Sequence, residues 1–409
     1  MLQRLKAQRR MYGLRRVLIH YSLDYLSQSN WIAMSSRPAV AYINLNNLKH
    51  NYQIAKQSSQ GLCYAVVKAN AYGHGLRQCV AALNEMADGF AVACVEEALE
   101  ARELTDKPVL VLQGAYRTED WHIAAQHKLD MVLHHDSQLS SLSSCDQDTI
   151  QKQTIWLKIN TGMNRLGLAL EQVANAEKAL LEKGATIAAV MSHYACADEP
   201  DHQANIQQRK RFALACSKLE GIYPTSFNNS AAIAHMGSAD ELSRAGIMLY
   251  GGSPLLAKTA AELQLKPVMT LESEIIALNP VKQGEGIGYG HTWSAPEDGY
   301  LAVITMGYGD GYPRHLSSED PVIIQGKRYG LAGRVSMDMI AAFIPKADIS
   351  SMANGTDTIS IGTNTISIGT RVELWGEQFS IDEVAKQSDT ISYELMCQIT
   401  PRIKRIYID

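Results

Sequence analysis

Several features that mark extracellular, membrane-spanning or nucleic-acid-binding proteins are missing from this chain. No apolar run approaches the roughly 20 residues that a transmembrane helix requires. The seven cysteines are odd in number, scattered, and nowhere spaced as C-x-x-C. That pattern argues against a disulfide framework or a zinc site and fits a reducing cytoplasm. The formal net charge of -4 gives no reason to expect nucleic acid as a partner. We therefore expect a cytoplasmic protein without a membrane or nucleic-acid partner and without a metal site.

The first 33 residues differ in composition from the rest of the chain. They hold six Lys/Arg residues and a single acidic residue, Asp24. Their apolar run at 17–19 ends at His20 and is too short for the core of a signal peptide. We expect residues 1–35 to be a basic extension that is disordered or untranslated, with Met34 as the true start.

The rest of the chain has the composition of a folded globular protein, with 46% hydrophobic and 20% charged residues. A length of 409 residues suits a barrel of roughly 250 residues and a smaller second domain. From residue 39 to about 250, short apolar runs alternate with amphipathic helical patterns. This alternation is typical of a (β/α)8 barrel. A doubly wound sheet is the alternative, but no G-x-G-x-x-G follows a first strand. The runs lie at 40–45, 64–68, 90–95, 109–112, 131–133, 155–159, 188–192 and 227–232.

The pattern changes after about residue 265. Apolar stretches alternate there with Gly-rich turns, and helical periodicity returns only at 381–387. A tandem Ile-Ser-Ile-Gly-Thr at 359 and 366 predicts a surface hairpin. We therefore predict a (β/α)8 TIM-type barrel over residues 36–265, followed by a mostly-β C-terminal domain over 266–409.

Lys68 is the most informative residue of the chain. It ends an apolar run, although a buried ammonium group is costly unless it is paired or neutralised. A desolvated amine at the end of a strand has a lowered pKa and can form a Schiff base with an aldehyde. A lone lysine there would more often reach solvent with its charged head. The surrounding residues 64–75, Tyr-Ala-Val-Val-Lys-Ala-Asn-Ala-Tyr-Gly-His-Gly, resemble the pyridoxal-phosphate lysine motif of alanine racemases.

Further polar motifs recur where barrel strands should end, which is where α/β barrels carry their active sites. Each of them alone has an ordinary structural explanation. Together and in this order, they resemble alanine racemase from about residue 37 to the C-terminus. The motifs lie at 158–167, 192–195, 228–231, 244–247, 286–290, 307–311, 333–338 and 392–394.

The resemblance implies that pyridoxal phosphate is bound to Lys68, whose freed amine is a general base on one face of the substrate's alpha carbon. A second acid/base is needed on the opposite face, and Tyr289 matches the family's tyrosine for that task. A phenol with its usual pKa of about 10 is a poor base at neutral pH, so His193 and Arg244 would help it to ionise. In the family this tyrosine comes from the other subunit, which implies a homodimer with shared active sites.

The resemblance also implies the cofactor and substrate contacts. Arg244 would donate to the pyridine nitrogen and leave it unprotonated, because arginine cannot accept; this favours reprotonation over transamination. Arg165 would contact the cofactor's phenolic oxygen and the substrate carboxylate, together with the Met337 N–H. The phosphate would be held by Tyr72, Ser230, Tyr393 and the N–H groups of Gly246 and Ile247 at a helix start.

Three positions bear on variation within the family. Lys158 stands where some members carry a carbamylated lysine that orients the arginine. Asn160 replaces an aspartate of many members. Tyr393 would narrow the pocket beside the alpha substituent, which suits the methyl group of alanine.

The implied function is the interconversion of L- and D-alanine, which supplies D-alanine for peptidoglycan. A broad-specificity amino-acid racemase is the first alternative, because specificity depends on pocket volume. An amino-acid decarboxylase of the same barrel type is more remote: the catalytic cysteine and Gly-rich phosphate loop of such enzymes are not found, and Cys397 lacks that setting. A non-catalytic cofactor-binding barrel would lack the second domain.

Overall fold

A computed structural model describes residues 36–409, apart from 237–241, 317–320, 350, 353–357 and 362–363. The predicted basic extension and the predicted start at Met34 lie outside the described residues.

The first part of the chain alternates strands and helices. In order, these elements are β1 (Val40–Asn44), α1 (Leu45–Gln57), β2 (Leu62–Val66), α2 (Leu76–Leu83), β3 (Gly89–Val92), α3 (Val95–Arg102), β4 (Val109–Val111), α4 (Thr118–His127), β5 (Asp130–Leu133), α5 (Asp136–Ser143), α6 (Gln147–Gln151), β6 (Thr154–Lys158), α7 (Val173–Glu182), β7 (Thr186–Ser192), α8 (Gln203–Cys216), β8 (Thr225–Phe227), α9 (Ser230–Met236) and β9 (Leu242–Ala245).

Strands β2 to β9 form the predicted TIM-type barrel. They are all parallel, in the order β8-β7-β6-β5-β4-β3-β2-β9, and β8 and β9 lie together at the seam. Every residue of β3 and β4 is buried, as expected for strands that are covered on both faces. Since all eight strands point the same way, their carboxyl ends converge at one rim of the barrel.

The prediction that residues 40–45 form the first barrel strand is wrong. This segment is β1, which pairs antiparallel with a strand at 269–281 and parallel with one at 404–408, both in the C-terminal part of the chain. Its burial alternates from residue to residue, which is the pattern of a strand with one covered face. The barrel instead starts at β2.

The apolar run expected for the eighth barrel strand does not coincide with that strand, although the motif at 244–247 does lie at its end. The predicted run at 227–232 covers only the end of β8 and the start of α9, and the strand that closes the barrel is β9. It contains Ser243 and Arg244, both buried. Two polar residues in a strand of four conceal the apolar pattern by which the other barrel strands were recognised.

The C-terminal part is mostly β, as predicted. Its elements are β10 (Met269–Val281), β11 (Gly286–Ile287), β12 (Trp293–Ser294), β13 (Gly299–Ile304), β14 (Pro321–Ile324), β15 (Lys327–Gly330), β16 (Ile340–Pro345), β17 (Ser351–Met352), β18 (Thr358–Ile361), β19 (Asn364–Ser367), β20 (Arg371–Trp375), α10 (Ile381–Gln387), α11 (Ser392–Gln398) and β21 (Lys404–Ile408).

Strand β10 is the centre of the second domain. It pairs with β1, β13 and β20, and the sheet extends through β14 and β15 on one side and β21 on the other. The tandem repeat forms β18 and β19, which pair antiparallel with Ile359 opposite Ile366. Within the described ranges, no helix has the length and apolarity to cross a membrane.

Helix α11 packs directly over the segment that follows β2. A Cβ placed on Gly73 would lie 2.1 Å from the carbonyl oxygen of Met396, so glycine alone permits this approach. Gly73 also has a φ of +81°, which disfavours other residues. The second domain thereby brings the start of α11, with Tyr393, to the barrel rim.

Candidate active site

A cavity of about 1500 Å³ opens at the carboxyl ends of the barrel strands, between the barrel and helices α10 and α11. Most of the site residues predicted from the sequence line it. These are Lys68, Tyr72, Arg165, His193, Ser230, Arg244, Gly246, Ile247 and Tyr393. The structure therefore brings together residues that are up to 325 positions apart in the chain, from 68 to 393.

Lys68 lies two residues after the end of β2 and is partly buried. Burial lowers the pKa of its amine, and the charge of Arg165 lowers it further, while Glu97 acts in the opposite direction. Because a neutral amine is the form that attacks a carbonyl carbon, this environment prepares Lys68 for covalent chemistry with an aldehyde.

One turn of left-handed helix follows Lys68. Four consecutive residues, Ala69 to Tyr72, have φ between 52° and 53° although none is glycine. For residues with a Cβ this conformation costs roughly 1–2 kcal/mol each. Backbone strain of this kind persists only where the surrounding structure holds it, and it is concentrated at functional sites.

An anion cradle lies at the end of this turn. The Gly246 N–H donates to Ser230 Oγ at 2.7 Å. A Cβ on Gly246 would lie 2.8 Å from Tyr72 Oη and 3.4 Å from Ser230 Oγ. The chain continues as a 3-10 helix at Ile247–Tyr250, shorter than the helix start that the resemblance implied. Two hydroxyls, one of them fixed by the Gly246 N–H, converge on a space kept open by glycine and fit a phosphate group.

Arg244 is held rigidly between the ends of β7 and β8. Its Nη2 donates to the carbonyl oxygens of Ser192 at 2.6 Å, Asn228 at 2.9 Å and Ser226 at 3.0 Å, and its Nε donates to Ser226 Oγ at 2.9 Å. Only 6% of the residue is exposed. The cavity therefore carries a permanent, immobile positive charge, because a guanidinium group stays protonated.

The positive charge of Arg244 lowers the pKa of two further groups, Lys158 and His193. Burial, and then the charges of Arg244 and Arg165, lowers the pKa of Lys158 to about 7. Burial, and then Arg244 and Lys158, lowers the pKa of His193 well below its usual value. Both groups are therefore predominantly neutral above pH 7, and a neutral imidazole can accept a hydrogen bond.

The asparagine at position 160 has a structural explanation. Its Oδ1 accepts the N–H groups of Gly162 and Asn164, both at 3.1 Å, and so shapes the loop that leads to Arg165. A carboxylate would accept the same two bonds. The asparagine also donates to Asn164 Oδ1 at 3.1 Å, so the substitution retains the loop-forming role.

Tyr289 and Met337 are not among the residues that line the cavity. Tyr289 lies between β11 and β12 with 72% of its surface exposed, and Met337 is 53% exposed. Both belong to the second domain of the same chain. The structure of one chain therefore separates these two predicted residues from the other predicted site residues.

Sequence reasoning missed other residues at the site. Glu97 accepts the Ala69 N–H at 2.6 Å, and His74 contacts the left-handed turn from its other end. Cys397, which was set aside in the sequence as a decarboxylase cysteine, also lines the cavity, and burial raises the pKa of its thiol, with a smaller opposite effect of Lys68. A protonated thiol is a weak nucleophile. The His74 and Glu97 contacts depend on a backbone conformation that no pattern in the sequence signals.

Comparison with known proteins agrees with the resemblance noted in the sequence. Residues 43–254 match the family model of the alanine racemase N-terminal domain, and residues 268–407 match that of the alanine racemase C-terminal domain. The chain belongs to the alanine racemase family. It is therefore a racemase that depends on pyridoxal phosphate and interconverts the enantiomers of alanine.

Individual relatives agree along nearly the whole length. The biosynthetic alanine racemase of Pseudomonas aeruginosa is 40% identical over 376 residues, which cover 91% of this chain and 99% of the relative. The structure of alanine racemase from Acinetobacter baumannii is 39% identical, with a TM-score of 0.82 over 91% of this chain and 100% of that one. Alanine racemase from Bartonella henselae, solved with covalently bound pyridoxal phosphate, is 29% identical, with a TM-score of 0.78 over 91% and 99%.

Proposed function

We propose that this alanine racemase moves the alpha proton with two bases, Lys68 on one face of the substrate and Tyr289 of a second copy on the other. The observation that carries the proposal is the separation of the two residues. Lys68 lies inside the cavity, whereas Tyr289 is exposed on a hairpin of the second domain and does not line the cavity of its own chain. A single fixed base returns a proton only to the face that it came from, so racemisation needs both.

Pyridoxal phosphate, when bound, makes the alpha proton of an attached amino acid acidic by drawing electrons away from the alpha carbon. Lys68 would hold it covalently, because its amine is partly desolvated. Tyr72, Ser230 and the N–H groups of Gly246 and Ile247 would hold its phosphate, with Tyr393 beside them. Arg244 would donate to the pyridine nitrogen, and its bonds to backbone carbonyls would fix it in that orientation.

The proton path at the second face involves a phenol. A tyrosine becomes a competent base when a neighbour takes its proton or stabilises the phenolate. His193, whose imidazole is neutral because burial and nearby cations lower its pKa, would accept a hydrogen bond from the phenol, and Arg244 would stabilise the negative charge that develops on it.

Substrate selection would depend on a carboxylate site and a narrow wall. Arg165 would bind the carboxylate as a cation, and the Met337 N–H of the second copy would donate to it. The ring centres of Tyr393 and Tyr72 lie 6.0 Å apart, and Tyr393 lines the cavity. Its bulk would narrow the pocket beside the alpha carbon to a size that suits a methyl group. Racemisation rates across a panel of amino acids test this: turnover of lysine, arginine or serine at the rate of alanine would favour a broad-specificity enzyme.

Lys158 would be carbamylated. The neutral Lys158 amine would attack the carbon of carbon dioxide and lose a proton to solvent, so that the product carries a negative charge where the amine carried none. The three cations Arg244, Arg165 and Lys68 that lower the Lys158 pKa would then stabilise the carbamate, which would orient Arg165.

We further propose that the enzyme is a cytoplasmic homodimer that supplies D-alanine for peptidoglycan. The scattered cysteines, all free thiols in the structure, fit a reducing compartment. Exposed Tyr289, Tyr308, Met337 and Met339 on one domain supply apolar surface for association.

Subunit mixing tests the shared site. Lys68→Ala and Tyr289→Phe homodimers should each be inactive or nearly so. Since each mixed dimer would carry one native site and one doubly altered site, equal mixing with exchange should restore roughly a quarter of the native activity. No recovery in dimers shown by mass spectrometry to have exchanged would reject the shared site.

A further inference from the structure

The left-handed turn at 69–72 connects two groups that must act on one cofactor molecule. Lys68 precedes the turn, and Tyr72 is its last residue. All four residues of the turn have side chains and a positive φ, so the segment would not choose this conformation by itself. The direction of the Lys68 amine relative to the Tyr72 phenol depends on whatever holds the turn.

His74 holds the end of the turn. Its Nδ1 lies 2.9 Å from the Tyr72 carbonyl oxygen and 3.0 Å from that of Ala71. Because carbonyl oxygens only accept hydrogen bonds, the proton must be on Nδ1. The ring is fully buried and lies 4.7 Å from Tyr250, whose ring stacks on Tyr72 at 4.7 Å. Among the described residues, His74 Nε2 has no hydrogen-bond partner, so the residue acts on the turn through Nδ1.

Glu97 holds the start of the turn. Its Oε1 accepts the Ala69 N–H at 2.6 Å, and its Oε2 accepts the Ala93 N–H at 2.8 Å. One carboxylate thereby connects the residue after Lys68 to the end of the neighbouring strand β3. In the middle of the turn, Asn70 Oδ1 accepts the Leu76 N–H at 2.8 Å. Side chains therefore hold both ends of the turn, and Glu97 connects its start to the barrel.

We propose that His74 and Glu97 are positioning residues, which hold the left-handed turn so that the Lys68 amine and the Tyr72 phenol reach the aldehyde and the phosphate of the same cofactor molecule. The proposal rests on the roles of Lys68 and Tyr72 given above. In this proposal neither His74 nor Glu97 contacts the cofactor. Each acts through the backbone that sets the distance between the covalent bond and the phosphate cradle.

Binding of two aldehydes to the apoprotein tests this coupling. Pyridoxal phosphate uses both Lys68 and the phosphate cradle, whereas pyridoxal, which has no phosphate, uses Lys68 alone. In His74→Leu, the affinity for pyridoxal phosphate relative to the affinity for pyridoxal should fall at least fivefold. A relaxed turn would no longer hold Lys68 and the phosphate cradle at the distance that one cofactor molecule spans. His74→Asn, whose amide nitrogen can occupy the place of Nδ1, should return the ratio to near that of the parent protein.

Visible absorption titration gives both affinities, and thermal unfolding of each apoprotein reports the fold. His50→Leu is the matched control, since His50 Nε2 lies 2.9 Å from the Gln264 carbonyl oxygen and His50 is not among the cavity-lining residues. A fall of less than fivefold in His74→Leu would overturn the proposal, as would a ratio in His74→Asn no better than that in His74→Leu. Should His74→Leu not fold, Glu97→Gln is judged by the same fivefold criterion.

Failure of the underlying role of Lys68 would appear separately. Borohydride reduction of the parent holoenzyme, followed by peptide mapping, identifies the lysine that carries the cofactor. A label on another lysine would refute the proposed function before any variant is compared. A label on Lys68 with an unchanged affinity ratio in the variants would refute only the positioning role.

Discussion

The surroundings of Lys68 and of Tyr289 differ in burial and in how firmly hydrogen bonds hold them. Lys68 is partly buried in a cavity whose walls are fixed by hydrogen bonds, such as those from Arg244 to the strand ends. Tyr289 lies between Gly288 and Gly290 on a hairpin, with 72% of its surface exposed. Both glycines have positive φ, and a Cβ on either would meet no described atom closer than 3.8 Å. Backbone conformation rather than lack of space therefore explains glycine at these two positions.

This difference shows how the work of the site is divided. The barrel supplies the cations and the anion cradle to one base, and helices α10 and α11 of the same chain help to enclose it. The second base is presented on the surface and can acquire a comparable environment only when another molecule covers it. Four changes test this division, the first at the buried base and the last at the N-terminal residues 1–33.

Lys68→Arg should have the largest effect. A guanidinium group remains protonated at any working pH and cannot attack an aldehyde, so covalent cofactor binding and racemisation should be lost, with activity reduced about 10³-fold or more. Visible absorption before and after borohydride reduction, together with the racemisation rate in both directions, measures the effect. An intact reducible absorption band in this variant would contradict the role of Lys68.

Tyr289→Phe should have a large but one-sided effect. Loss of one acid/base group costs about 10²–10⁴-fold, and here the loss should fall mainly on proton exchange with one enantiomer. Exchange of the alpha hydrogen with deuterated water, followed separately from L- and D-alanine, measures it. Tyr116→Phe is the control, because Tyr116 is 68% exposed and lies outside the cavity. Equal, small reductions for both enantiomers would argue against opposite faces.

Lys158→Met should change the pH dependence of stability. With a pKa of about 7 in the fold and 10.5 as its ordinary value, the unfolded chain binds more protons than the native one between these limits. The free energy of unfolding should therefore rise with pH in that interval, by at most about 1.4 kcal/mol per pH unit. Denaturant unfolding of the apoprotein without bicarbonate should show a steeper rise in the parent than in the variant, in which the lowered pKa of Lys68 still acts in the same direction. The same slope in both proteins would show that Lys158 is not the titrating group.

Removal of residues 1–33 should have the smallest effect. A chain that starts at Met34 retains Arg37, whose guanidinium lies 2.8 Å from the buried Asp310 carboxylate. Its stability should lie within about 0.5 kcal/mol of the full chain, whereas Arg37→Ala should cost about 1.5–3 kcal/mol as a charged hydrogen bond is lost. Thermal unfolding, gel filtration and the racemisation rate compare the shorter chain with the full chain. Loss of folding or activity in the shorter chain would show that the segment is needed.

Much of the fold was predictable because its signals are local. The continuously buried strands β3 and β4 are apolar along their length, and helix α10 begins at a capping box formed by Ser380 and Glu383. The site residues of the barrel could be predicted because the Lys68 motif and the polar strand ends follow one another in a recognisable order. Strand β9 has no apolar run because Ser243 and Arg244 are polar, and only the surrounding carbonyls and a hydroxyl make the burial of Arg244 favourable.

The sequence by itself determined the alternation of strands and helices, the change to a mostly-β second domain, and the chemical types available at the barrel rim, because these depend on periodicity and on side-chain identity. Only the tertiary structure decided that β1 joins the second domain, that a left-handed turn separates Lys68 from Tyr72, and that Tyr289 lies outside the cavity of its own chain. Strand pairing between residues 40–44 and 269–281, a backbone held against its local preference, and exposure of a side chain all depend on contacts between distant segments. Such contacts leave no periodic signal in either segment alone.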